Sequence, residues 1–170
     1  LRRALDPVPA RDVTAGISNA IARLKDRPWS AKQATGAPDT PVEGDIGSAW
    51  ASARADMGEV TLDLTYDRAV RVDAVRIHET LRPGAVARIQ AKKPDGSWDT
   101  IWEGRSTAFD APNWFAPAVA ATAYTTTVIR IVVDTDRVEN WNEIDAVELE
   151  GDGLRQWASS AVSSSSYADR

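Results

Sequence analysis

The sequence has no cysteine and a single histidine, His78. Without cysteine there is no thiol nucleophile, no Cys-based zinc site and no disulfide. With one histidine there is no cluster of His metal ligands, and any Ser-His-Asp triad would have to be built on His78. No apolar run approaches the roughly 18 residues that read as a membrane-spanning helix. The G-x-S-x-G, P-loop and G-x-G-x-x-G motifs are missing too. An excess of positive charge is also lacking. The 170 residues carry a formal net charge of −5, with the basic residues scattered among acidic ones. Free nucleic acid and anionic membranes are therefore poor partners. The start of the chain lacks the charged stretch and apolar core of a signal peptide. A chain that begins at Leu1 is expected to be a processed precursor or a fragment of something longer.

What is present is tryptophan: seven, against three Tyr and two Phe. A Trp either fills the core of a small sandwich or, being large and amphipathic, offers a platform for a sugar ring or a partner. The length is enough for one domain with a proper core.

Three regions differ in character. Residues 1–28 hold an extended Asp6-Pro7-Val8-Pro9 leader and then Asp12, a good helix N-cap. Val13, Ile17, Ala20, Ile21 and Leu24 follow at helical spacing, and Pro28 ends the pattern. The spacing predicts one amphipathic helix over 12–26 that must bury its stripe on the sandwich, another subunit or a neighbouring domain. Residues 29–58 are rich in Gly, Pro, Asp and Ser and read as long loops. Val60, Leu62, Leu64 and Tyr66 then alternate with Glu59, Thr61, Asp63 and Thr65, the pattern of a half-buried strand. Further strands are predicted at Val72–Glu79, Ala85–Lys92, Trp98–Trp102, Thr126–Asp134 and Ile144–Glu150, with a hairpin turn at Pro94-Asp95-Gly96. Short strands with turn signals and little helix predict an antiparallel β-sandwich. Residues 152–170 form a Ser-rich tail, W-A-S-S-A-V-S-S-S-S-Y-A-D-R from Trp157, whose composition alone would read as disordered.

Three segments carry a family likeness. They are W-S-A-K-Q-A-T-G-A-P-D-T from Trp29, with Gly44-Asp45 and Ala49-Trp50-Ala51-Ser52; V-R-I-H-E-T-L-R-P-G-A-V from Val75; and N-E-I-D-A-V-E-L-E-G from Asn142. Together, over residues 29–151, they resemble a discoidin-type domain of the subgroup with an E-T-x-x-P-G-A signature. The resemblance implies an all-β, galactose-binding-like jelly roll, here preceded by one N-terminal α-helix. It also implies a module that works outside the cell or in the envelope, with a bacterial source expected. In many such domains the first turn holds a structural Ca²⁺, which requires six to eight oxygen ligands. Asp39, Thr40, Asp45 and Glu148 are the residues this would use. A hydrogen-bonded turn without metal is the alternative. The usual Asp-Gly pair of that turn is replaced here by Thr35-Gly36.

In this subgroup the W-A-S-S-A type of segment precedes the Trp29 type of segment; here it follows it. The tail is expected to close on its own domain, to dock on a neighbouring copy, or to be the start of the next repeat in a tandem array.

In discoidin-type domains the ligand meets loops at one end of the sandwich. The expected ligand residues are His78, Glu79 and Arg82; Asn113 and Trp114; and Asn140, Trp141 and Asn142. A Trp between two Asn offers one stacking face and two amides that donate and accept. The competing readings are a structural His78, loop anchoring for Trp114 and Trp141, and a Glu79 that orders the following Pro-Gly turn. Glu139 and Glu143 flank Trp141, but nothing marks the cleft that a two-carboxylate glycosidase needs. The expected function is therefore non-catalytic recognition of a carbohydrate or other cell-surface ligand. Assembly with further copies or a neighbouring domain, through 12–26 and 157–170, is the alternative.

Overall fold

The structure is a computed structural model and describes residues 27–106, 108 and 110–170. The helix expected over 12–26 lies outside the described residues. Among these residues there are ten strands: β1 (Trp50–Ala51), β2 (Glu59–Val70), β3 (Ala74–Leu81), β4 (Val86–Lys92), β5 (Trp98–Glu103), β6 (Asn113–Phe115), β7 (Thr126–Asp134), β8 (Glu143–Gly151), β9 (Leu154–Trp157) and β10 (Ser160–Ser163). One five-stranded sheet runs β1-β8-β3-β6, with β9 also paired to β8; the other runs β10-β2-β7-β4-β5. Every pairing is antiparallel. The protein is an all-β antiparallel sandwich.

Alternation along the strands makes the core. Val75, Ile77, Val147 and Leu149 from one sheet join Leu62, Leu64, Ile89, Ile129 and Ile131 from the other in one buried cluster. Each such side chain contributes roughly 1.5–3 kcal/mol when fully buried. Tyr66 sits among them and donates its hydroxyl hydrogen to the Val147 carbonyl at 3.3 Å. The hairpin expected at Pro94-Asp95-Gly96 forms between β4 and β5. The Asp95 carboxylate accepts from the Ser97 N–H and hydroxyl at 2.9 and 2.7 Å. At the β8–β9 hairpin the chains touch at Gly151, where a Cβ would lie 1.9 Å from the Arg71 carbonyl oxygen.

The Ser-rich tail folds on its own chain. β10 extends the second sheet by pairing with β2, Ser160 opposite Thr65 and Ser163 opposite Leu62. Beyond it, the Ser165 carbonyl accepts from the Trp50 indole at 3.1 Å and the Ser166 hydroxyl donates to the Trp29 carbonyl at 3.1 Å. Tyr167 packs on Trp29, with ring centroids 5.0 Å apart. Low-complexity serine does not leave this segment unstructured, because β2 supplies a strand edge and the two Trp side chains supply a surface.

Candidate functional site

The site is built on a mismatch between β3 and β8. His78 pairs with Ala146 and Glu79 with Ile144, so Asp145 is one residue extra on β8. Such a bulge re-aims the side chain it carries. The fully buried Asp145 carboxylate accepts from His78 Nδ1 at 2.9 Å, the Asp39 N–H at 3.1 Å, the Thr40 N–H at 3.3 Å and the Thr40 hydroxyl at 3.1 Å. Because Thr40 donates to Asp145, Ser48 donates to Thr40 across 2.6 Å. Burial pushes the Asp145 carboxyl up, the His78 and Thr40 bonds oppose this, and the neighbouring Asp39 carboxyl adds to the rise.

Two more carboxyls are buried close by in the sequence. Glu143 accepts from the Trp29 indole at 3.0 Å and the Ile46 N–H at 3.3 Å. Burial, with Asp45 alongside, pushes its pKa up to about 8. Glu79 accepts from the Gly84 N–H at 3.1 Å, which orders the Pro83-Gly84 turn, and from the Asn113 amide at 3.4 Å. Burial raises its pKa as well.

Above the bulge is an aromatic face. Trp114 stands directly opposite His78 in the β3–β6 pairing, and their rings lie 4.7 Å apart. Trp157, from β9, lies 6.1 Å from Trp114. Trp114 is 46% exposed. It also lines a cavity of about 360 Å³ with Trp102, Arg105, Ser106, Ala108, Asn113, Phe115 and Pro117. Trp102 and Phe115 meet edge to face at 5.1 Å, which holds their rings in place.

The expected ligand residues are thus divided. His78, Glu79, Asn113 and Trp114 come together. Arg82 and Asn142 meet elsewhere, the Asn142 amide donating to the Arg82 carbonyl at 2.8 Å while Arg82 itself has a φ of 44°. Asn140 turns onto its own loop, its side-chain oxygen accepting from the Trp141 N–H at 2.9 Å. The Trp141 indole donates to the Ser52 carbonyl at 3.2 Å, and the ring carries Tyr167 and Arg170 of the tail at 6.1 and 5.5 Å. Trp141 therefore anchors the tail, and the Asn-Trp-Asn run does not form one stacking site with its two amides.

The residues expected for Ca²⁺ also separate. Glu148 pairs with Arg76 at 3.1 Å and lies three residues along β8 from Asp145, about 10 Å of strand. Asp145 and Glu143, not Glu148, are the β8 carboxyls beneath the Asp39–Asp45 loop. The Asp145 oxygens already accept four donors. Among the described residues no group of three or more His, Cys, Asp or Glu is placed to hold a metal ion. Glu148 therefore does not join Asp39, Thr40 and Asp45 in one ligand set.

The sequence reading drew attention to Phe115 beside Asn113 and Trp114, and missed Asp145, Trp157, Trp102 and Arg105 as site residues. An Asp between Ile144 and Ala146 in an apolar closing strand was a usable signal; nothing local marked the others.

No protein-family model matches the sequence. The chain is similar to F-box/LRR-repeat protein 4 of Bos taurus, with 29% identity over 101 residues, 53% of this chain and 16% of that protein. Among the described residues no helix is long and apolar enough to cross a membrane.

Proposed function

We propose that the protein is a non-catalytic binding module of the discoidin type that recognises carbohydrate outside the cell or in its envelope, in adhesion or targeting. The observation that carries this reading is Trp114, a large ring kept at the surface, braced by His78 and Trp157 and opening onto a cavity. The C–H face of a sugar ring stacks on an indole, and a ring that is already immobilised loses little freedom on binding. Asn113, Ser106 and Arg105 supply the few polar groups that orient hydroxyls. Screening on a glycan array, followed by titration calorimetry on the best hit, tests it. Trp114→Ala abolishes binding while the thermal melt stays within a few degrees. An unaltered affinity in that variant would end the proposal.

Assembly remains the second reading, and β10 favours it. This edge strand carries Val162, 66% exposed, and unpaired strand edges recruit further strands. Concentration-dependent oligomers that Val162→Lys disperses, with no glycan bound, would point to assembly instead.

A further inference from the structure

Among the described residues that line the Trp114 cavity, Arg105 is the one that is charged. The other arginines around this end of the second sheet are occupied. Arg137 is tied to Asp134 at 3.1 Å and to the Gly104 carbonyl, and Arg88 to Glu59 at 2.6 Å. Arg105 has no ion pair or hydrogen bond among the described residues. Glu79, behind the lining residue Asn113, accepts from the Gly84 N–H and the Asn113 amide. Arg105 and Trp114 line one cavity, and no carboxylate is among its described lining residues, a combination that suits an anion carried by a ring. Bidentate pairing with a planar carboxylate is what a guanidinium does best.

We propose that the cavity takes a carboxylate-bearing sugar, a uronic acid residue, with its ring on Trp114 and its carboxylate on Arg105. This deepens the carbohydrate reading and rests on it. Asn113 serves as a positioning group for a ring hydroxyl, held in place by Glu79 at 3.4 Å.

The test uses two matched probes, trigalacturonic acid and the corresponding neutral galactose trisaccharide, titrated into the full chain by calorimetry at two salt concentrations. The acidic probe binds about tenfold more tightly, the size of one charge-assisted contact. The advantage shrinks as salt rises. Arg105→Gln removes the advantage of the acidic probe over the neutral one, whereas Trp114→Ala weakens both probes; melts by circular dichroism confirm that both variants fold. Equal binding of the two probes, or an advantage that survives in Arg105→Gln, overturns the acidic-sugar inference and leaves carbohydrate recognition standing. Binding of neither probe, nor of any array glycan, overturns both.

Discussion

The Trp50 indole donates its N–H to the Ser165 carbonyl, 3.1 Å away and 115 residues along the chain. Trp50 is almost completely buried, so without that carbonyl its N–H would be an unpaired polar group in the core. The Ala53 N–H makes a second tie, to the Ser165 hydroxyl at 2.9 Å. The end of the chain thus completes the core near its start. Residues that look like a disordered tail by composition act as the last strand and the clasp of the sandwich.

Removing residues 160–170 should therefore destabilise the fold severely. The cut takes away β10, the cover over Trp29 and the partner of Trp50. Ser166→Ala is the milder probe. It deletes the bond to the Trp29 carbonyl and the N-cap bond from the Ala168 N–H, and should cost about 1 kcal/mol. Urea unfolding measures both. A truncated chain with the midpoint of the full one would show that the tail is an ornament.

Glu143 should make stability fall as pH rises. Its folded pKa, about 8, lies above the ordinary glutamate value, so the folded state holds a proton that the unfolded state has released. The stabilisation is complete below the unfolded pKa and is lost as pH climbs through the folded one. The loss is on the order of a few kcal/mol between about pH 4.5 and 8. Glu79 and Asp145 act in the same direction, since burial raises both. Glu143→Gln should flatten the slope of melting temperature against pH in this window. Its amide faces the Ile46 N–H, so the slope, and not the absolute stability, is the informative quantity. A slope identical to that of the unaltered protein would remove Glu143 as its source.

Two glycines of one hairpin should respond differently to alanine. At Gly151 a Cβ would sit 1.9 Å from the Arg71 carbonyl oxygen and 2.9 Å from a Val70 methyl, so the backbone at Arg71, just past β2, would have to move. Gly153 has open space around it but a φ of 75°. Gly153→Ala should cost about 1 kcal/mol of backbone strain. Gly151→Ala should cost about 3 kcal/mol or more, in the range of severe overpacking. Chemical denaturation of the two variants settles the order, and a reversed order would mean that the close approach at Arg71 is not part of the fold.

Much of the fold was legible because it is local. The alternation of Val60, Leu62, Leu64 and Tyr66 marks which face of β2 is buried, and those side chains are buried. The six strands expected from pattern correspond to β2, β3, β4, β5, β7 and β8. The short strands β1, β6, β9 and β10 were not foreseen. Two to four residues cannot display a period, and serine carries no strand preference strong enough to mark β10.

The candidate site was legible only in part. The E-T-L-R-P-G-A run drew attention to His78 and Glu79, and Asn113-Trp114 was singled out as an aromatic with an amide beside it. That β3 and β6 pair His78 with Trp114 is a matter of register between segments 36 residues apart. Trp141, the more suggestive residue on paper, spends its ring on the tail.

The sequence by itself determined the class of the fold, the turn at Pro94-Asp95-Gly96 and the exclusion of thiol chemistry, because alternation, turn chemistry and composition are properties of neighbours in the chain. Only the tertiary structure decided where the W-A-S-S-A tail lies, that Asp145 bulges beneath His78, and that Trp114 faces a cavity holding Arg105. Those arrangements depend on strand pairing and on burial between residues far apart in sequence, where no local pattern can choose the partner.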